Sequence, residues 1–313
     1  MLGVPRIVEI ATPGRRLRLD HGFLAVNDGQ SDIGKIALES ITALVLTTPA
    51  VSITGQALAA LAERGAPVVL CGPNFCPSSY LLPVSGHHAQ GARLEAQASA
   101  SLPTKKRIWQ QIVRAKLTAQ ADVLAQLGLS DIPVRALVKT VTSGDATNRE
   151  ATGAQRYWPL LFGKGFRRDR EEPGINGMLN YGYTVLRAAT ARAIVAAGLH
   201  PSLGVQHKSK GSGLRLSDDL MEPFRPSVDQ VVHDLVRRGR DQVTAETKAS
   251  LVGVLALDFA TAEGVSPLSN LIARSAVQLA QTYLGERKAL SFPKSMVPIS
   301  FSNDGSNLQE DAA

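Results

Sequence analysis

The chain has 313 residues and a mass of 33.2 kDa, with 44% hydrophobic residues and a mean hydropathy of +0.00. That length suits about two domains, and that much apolar material excludes disorder over most of it. No apolar run reaches the roughly 18 residues of a membrane span, which excludes a transmembrane protein. The start, Met1 to Arg6, lacks the basic-then-apolar layout of a secretory signal, and Cys71 and Cys76 are too few for a disulfide framework. The expected location is cytoplasmic. A net charge of +7 and a pI of about 9.6 fit either an anionic polymer as partner or a basic surface kept for solubility.

Residues 1–84 read as a β-rich domain. Arg6–Ile10, Leu17–Leu19, Phe23–Val26, Leu44–Leu46 and Val68–Leu70 have strand length and partial alternation, and Pro13-Gly14 and Asn27-Asp-Gly29 supply turn chemistry. Ser52–Arg64 has helical spacing that Gly65 ends. Residues 85–101 are small and polar and read as a linker with a solvent-facing His87-His88 pair.

Residues 102–290 carry the helical period. Pro103 opens a helix whose stripe includes Ile108, Trp109, Ile112, Val113, Val123, Leu124 and Leu127 before Gly128. Helices are predicted over Asn176–Ala197, Ser227–Arg238 and Leu268–Leu284, each followed by glycine. Residues 291–313 form a tail whose last part reads as disordered. The predicted class is α+β, a small sandwich-like β-sheet domain followed by a larger all-α catalytic domain. Trp109 and Trp158 lie on apolar stripes and read as core, and Cys71 and Cys76 lack the second pair of a zinc site.

Three segments concentrate unusual polar residues. In Asn148–Trp158 a helix puts Glu150 on one face with Ala154, Tyr157 and Leu161, where it either needs a cation or stands exposed at the helix start. Leu199–His207 holds two histidines beside the loose Lys208–Gly213 loop. In Ser217–Pro226, Asp219 and Glu222 are three apart, and Pro223 fixes a kink after them. Two carboxylates and an imidazole form an oxygen-and-nitrogen donor set that suits Mg²⁺ or Mn²⁺. Arg149, Arg156, Lys164, Arg167, Arg168, Arg170, Lys208, Lys210, Arg215 and Arg225 lie around them. Acids gripping a metal inside a basic field match the needs of phosphodiester chemistry.

Four motifs carry a family resemblance. Asn148-Arg-Glu150 leading to Tyr157-Trp158, Asn180-Tyr-Gly-Tyr183, Gly198–Gly204 with His207, and Asp218–Pro226 together resemble the CRISPR-associated integrase, the endonuclease-like protein that inserts spacers into CRISPR arrays. The form of Asp218–Pro226, with Ser85-Gly-His87 leading to Trp109–Val113, is similar to the type II branch. The resemblance implies that Glu150, His207 and Glu222 are the catalytic metal ligands, that Asp219 is an accessory acid, and that His200 is not a ligand. Among the basic residues around them, Arg149, Arg156, Lys164, Arg167, Arg168, Lys208, Lys210 and Arg225 are the candidates for DNA contact. Many relatives carry Asp at the position of Glu222, a shorter acid of the same ligand type.

The implied reaction is metal-dependent attack of a 3′-hydroxyl on a repeat phosphodiester. The implied partners are double-stranded DNA, a second copy in a homodimer, and a small adaptation protein bridging two dimers, with a type II accessory protein and RNA-guided effector nuclease beyond them. Two other classes fit the residues: a stand-alone metal-dependent nuclease acting on branched DNA in repair, and a non-catalytic DNA-binding scaffold.

Overall fold

The computed structural model describes residues 6–72, 74–84, 86–207, 213–293, 295 and 297–299. Lys208, Lys210, Ser85, the Met1–Pro5 start and nearly all of the 291–313 tail beyond Pro293 lie outside the described residues. Two four-stranded sheets build the first part. One runs β1 (Arg6–Ile10), β5 (Ile41–Leu46), β7 (Val68–Cys71) and β8 (Pro77–Leu81), parallel except at β8. The other runs β4 (Asp32–Ala37), β3 (Phe23–Asn27), β2 (Arg15–Asp20) and β6 (Val51–Ile53), with β6 parallel to β2.

Strand alternation assigns the first sheet two different neighbours. Val8, Ile10, Leu44, Leu46 and Val68 face a core with Leu17, Leu24 and Leu61, the last from helix α1 (Gly55–Glu63). Ile7, Ala43, Val45 and Val69 face the opposite way, into a core made mostly by helices. A strand covered on both faces is apolar nearly throughout, and β5, apolar except at Thr42, is buried along its whole length. α1 begins three residues later than its spacing suggests, because Val51–Ile53 pairs with β2 and the Thr54 hydroxyl caps the helix by accepting from Ala57 N–H.

The helices that follow are α2 (Gln90–Ala98), α3 (Leu102–Gln126), α4 (Ile132–Val138), α5 (Arg149–Phe162), α6 (Ile175–Ala196), α7 (Arg215–Leu220), α8 (Arg225–Arg237), α9 (Ala245–Gly253) and α10 (Leu268–Tyr283). α6 is central and buried around most of its circumference. The region read as all helical also holds a short antiparallel pair, β9 (Asp258–Thr261) and β10 (Gly264–Pro267). The segment read as a linker contains α2, because the buried Gln97 amide donates to the carbonyls of His200 and Leu203 and accepts from His200 N–H.

Glu9 of β1 ties the sheet to the helices. It accepts from Thr47 at 2.6 Å and Tyr181 at 2.9 Å and pairs with Lys248 of α9 at 2.6 Å. Among the described residues no helix is long and apolar enough to cross a membrane.

Candidate active site

Glu150 sits in the first turn of α5, and its placement depends on Asp145. Asn148 adopts a left-handed backbone (φ 51°) and makes no side-chain cap. Instead the buried Asp145 carboxylate accepts from the N–H groups of Arg149 at 2.8 Å and Glu150 at 2.9 Å. Two free amides at the helix start are thereby satisfied, and the Glu150 side chain is directed toward α3. Glu222 arrives from another direction. α7 stops at Leu220, a 3-10 turn spans Glu222–Phe224, and α8 starts at Arg225. Pro223 sits inside this break, as its restricted backbone requires. The break leaves Glu222 buried, with 4% of its surface exposed.

The two carboxylates meet at Lys116 of α3. Its Nζ pairs with Glu150 Oε1 and lies 2.6 Å from Glu222 Oε2. Arg225 Nε is 3.1 Å from the other oxygen of Glu222. Burial alone pushes the Glu222 carboxyl up, but Arg225 and Lys116 more than offset it, so it lies below the ordinary value and stays ionised. Burial likewise pulls the Lys116 ammonium down, and Glu222 and Glu150 hold it above the ordinary lysine value.

His207 is oriented by Asp219. The Asp219 carboxylate has no exposed surface and accepts from Val205 N–H at 2.6 Å, Gln206 N–H at 3.0 Å and His207 N–H at 3.2 Å. The His207 Nδ1–H donates to it at 2.5 Å, which raises the imidazole above its ordinary pKa and leaves Nε2 as the outward nitrogen. Trp109, buried as expected, meets the imidazole in a T-shaped arrangement with ring centroids 5.8 Å apart. Glu150 and Glu222 are therefore brought together, and His207 and Asp219 form a second pair. Among the described residues no three of His, Cys, Asp and Glu are grouped closely enough to hold one metal ion. His200 is a loop residue whose Nδ1 accepts from Ser202 N–H.

The basic candidates divide by position. Arg168 and Arg225 turn inward over the Tyr183 ring, 5.6 and 4.7 Å from its centroid. Asn176 and Asn180 hold Arg168 in that pose. Lys164 and Arg167 are exposed, Arg156 donates to the Pro133 carbonyl at 2.8 Å, and Arg149 is half-buried. A cavity of about 750 Å³ opens beside His207, lined by Arg168, Arg170, Arg187, Arg225 and Tyr80. Arg187 also pairs with Asp218 at 2.5 Å. Beneath the cavity Tyr183 and Tyr157 both donate to Asp229, which is 1% exposed; burial raises its carboxyl to about 7 even against the two hydroxyls that lower it.

Sequence reasoning missed Lys116, Asp145, Arg187 and Asp229. A signal existed for Lys116, since it and Gln120 fall on the same helical stripe as Ile112 and Val113.

The chain matches the family described as CRISPR associated protein Cas1 over residues 8–256. It is 39% identical over 247 residues to a CRISPR-associated endonuclease Cas1 of Neisseria meningitidis, covering 77% of this chain and 80% of that protein. In fold it is similar to a casposase bound to its integration product, with a TM-score of 0.78, 20% identity, and 98% and 96% of the two chains covered. A Cas6-RT-Cas1–Cas2 complex gives a TM-score of 0.73 at 19% identity, over 90% of this chain and 35% of that one.

Proposed function

The chain belongs to the CRISPR-associated Cas1 family, and from that membership we propose that it is the endonuclease and integrase of spacer acquisition, joining short double-stranded DNA fragments into a CRISPR array. The observation that carries the reading is the convergence of Glu150 and Glu222, from separate elements, on one cationic point. An arginine-lined cavity lies alongside. An anionic centre within a basic rim suits a phosphodiester, whose backbone the rim holds while the centre organises the reacting oxygens.

The donor set fits a divalent cation, Mg²⁺ or Mn²⁺. Glu150 and Glu222 already share one cationic partner, and Glu222 Oε2 is buried without a hydrogen bond of good geometry. Glu150 and Glu222 would hold the ion, and the Nε2 of His207, set apart from them beside Asp219, would be the third donor. Bound there, it would neutralise charge on the attacked phosphate and make the attacking hydroxyl more acidic. Asp219 acts through His207, fixing which imidazole nitrogen faces outward. Arg170, exposed at the cavity wall, would offer guanidinium donors to phosphate oxygens, while Arg168 and Arg225 are committed inward over Tyr183.

In the joining step the 3′ oxygen of the incoming strand bonds to a repeat phosphorus, and the bond from that phosphorus to the repeat's own 3′ oxygen breaks. One phosphodiester replaces another, so no external energy source is consumed. Water in place of the 3′-hydroxyl gives cleavage, so nuclease activity on branched DNA belongs to the same reading. Double-stranded DNA, a homodimer and a small adaptation partner bridging two dimers complete the proposal; a Cas6-RT-Cas1–Cas2 complex contains a chain of similar fold. The type II accessory protein and effector nuclease are carried as proposed partners too.

The test is strand joining of a short 3′-hydroxyl duplex into repeat-containing supercoiled DNA, in Mg²⁺, Mn²⁺ or EDTA, with the small partner added or omitted. Joining that EDTA abolishes is expected. Cutting of branched DNA without joining would instead indicate a repair nuclease, and binding without chemistry a scaffold.

A further inference from the structure

Lys116 is out of place for its environment. Its residue is 7% exposed, and its stem lies on the α3 stripe with Ile112, Val113 and Leu117. An apolar side chain there would complete the stripe with no buried charge to satisfy. The ammonium makes sense through Glu150 and Glu222, which would otherwise face each other as like charges, Glu222 buried and Glu150 partly so. A pair of carboxylates shaped to hold a divalent ion has this same need whenever the ion is away.

Building on the metal reading given above, we propose that Lys116 is a resident counter-ion that occupies the place of the divalent cation and is displaced when the ion binds. Two features allow the exchange. Lysine is a point charge on a flexible stem, unlike the planar guanidinium of Arg225 at the other oxygen of Glu222. One turn along α3, Gln120 Oε1 is buried with no hydrogen-bond partner among the described residues. An acceptor at that spacing from Lys116 offers the displaced ammonium a seat and accounts for an otherwise orphaned oxygen. Ion affinity at this site is then set by competition with the protein's own cation. The folded state without the ion keeps its carboxylates paired.

The test is calorimetric titration of Mn²⁺ into the full chain as wild type, Lys116→Met, Lys116→Gln and Lys116→Arg, with thermal melts of each in EDTA and in saturating Mn²⁺. The neutral variants are expected to bind Mn²⁺ about tenfold tighter or more, because a competing charge a few ångströms away has gone. They should melt well below wild type in EDTA and regain most of that loss in Mn²⁺. Lys116→Arg, still charged, should bind no tighter than wild type. Unchanged or weaker binding by both neutral variants would overturn the proposal alone. So would a melting loss that is equal in EDTA and Mn²⁺, or failure of both neutral variants to fold even with the ion present. Absence of Mn²⁺ binding by wild type and neutral variants together would overturn the metal reading, and the displacement with it.

Discussion

Asp229 should make the protein less stable as the pH rises toward neutrality. Its carboxyl is 1% exposed beneath the arginine-lined cavity, accepts hydrogen bonds from Tyr183 and Tyr157, and is raised from 3.8 to about 7 by burial. Between those values the folded state retains a proton that the unfolded chain has lost. Folding is therefore favoured most below about pH 4, and this contribution fades as the pH rises through 7. The gap from 3.8 to about 7 corresponds to about 4 kcal/mol at about 1.4 kcal/mol per pH unit, with about 2–3 kcal/mol of it falling between pH 5 and 8. Asp229→Asn removes the ionisation and keeps one acceptor and one donor for the two tyrosine hydroxyls. Urea unfolding of both proteins at pH 5 and pH 8 gives the comparison. The variant should lose about 2–3 kcal/mol less than wild type over that range and match or exceed it at pH 8. Parallel pH dependences would refute the reasoning.

Three further perturbations test how the site is held. Asp219→Asn removes half of the carboxylate that gathers three backbone N–H groups and the His207 ring. It should lower stability by about 2 kcal/mol and let His207 titrate nearer 6.5 by NMR, so an unmoved imidazole would contradict its role. Asp145→Ala strips the cap from the Arg149 and Glu150 amides and should cost about 1–2 kcal/mol in chemical unfolding. Strand joining should fall along with that loss while DNA affinity holds. Glu9→Gln leaves Lys248 of α9 without its carboxylate and should lower stability by about 2 kcal/mol in urea titrations, with the Tyr181 contact retained. A change below a few tenths would mean that this tie between sheet and helices is weak.

The helical half was legible because its punctuation is local. Gly128, Gly198, Gly239 and Gly285 all adopt the positive φ that ends a helix, and the apolar stripes before them are regular. Pro223 likewise announced the break that buries Glu222. Two of the strands that escaped notice are polar. Asp32–Ala37 and Pro77–Leu81 are edge strands that exist because β3 and β7 offer a partner, and no alternation in their own sequence declares them. α2 was hidden for the same reason, since its anchor Gln97 bonds residues more than one hundred positions away.

At the site, single residues could be named from their motifs, but their partners could not. Glu150, His207, Asp219 and Glu222 each stand in a recognisable run. Lys116 meets Glu150 from 34 positions away, and Tyr183 meets Asp229 across 46. Nothing in either run specifies the other. Asn148, the residue with capping chemistry, sits in a left-handed turn and makes no cap, and Asp145 caps the helix instead.

The proposed function places the cutting and joining of DNA strands at Glu150 and Glu222, the two carboxylates that meet at Lys116. Strand joining by wild type, Glu150→Gln and Glu222→Gln in Mg²⁺ and Mn²⁺, with DNA affinity measured on the same preparations, tests it most directly. Each substitution is expected to abolish joining and branched-DNA cleavage while DNA affinity stays within about threefold, because the cavity rim extends through Arg168, Arg170 and Arg187 beyond Arg225, the rim residue that pairs with Glu222. Joining that survives in either variant, in protein that is folded and binds DNA, would contradict it.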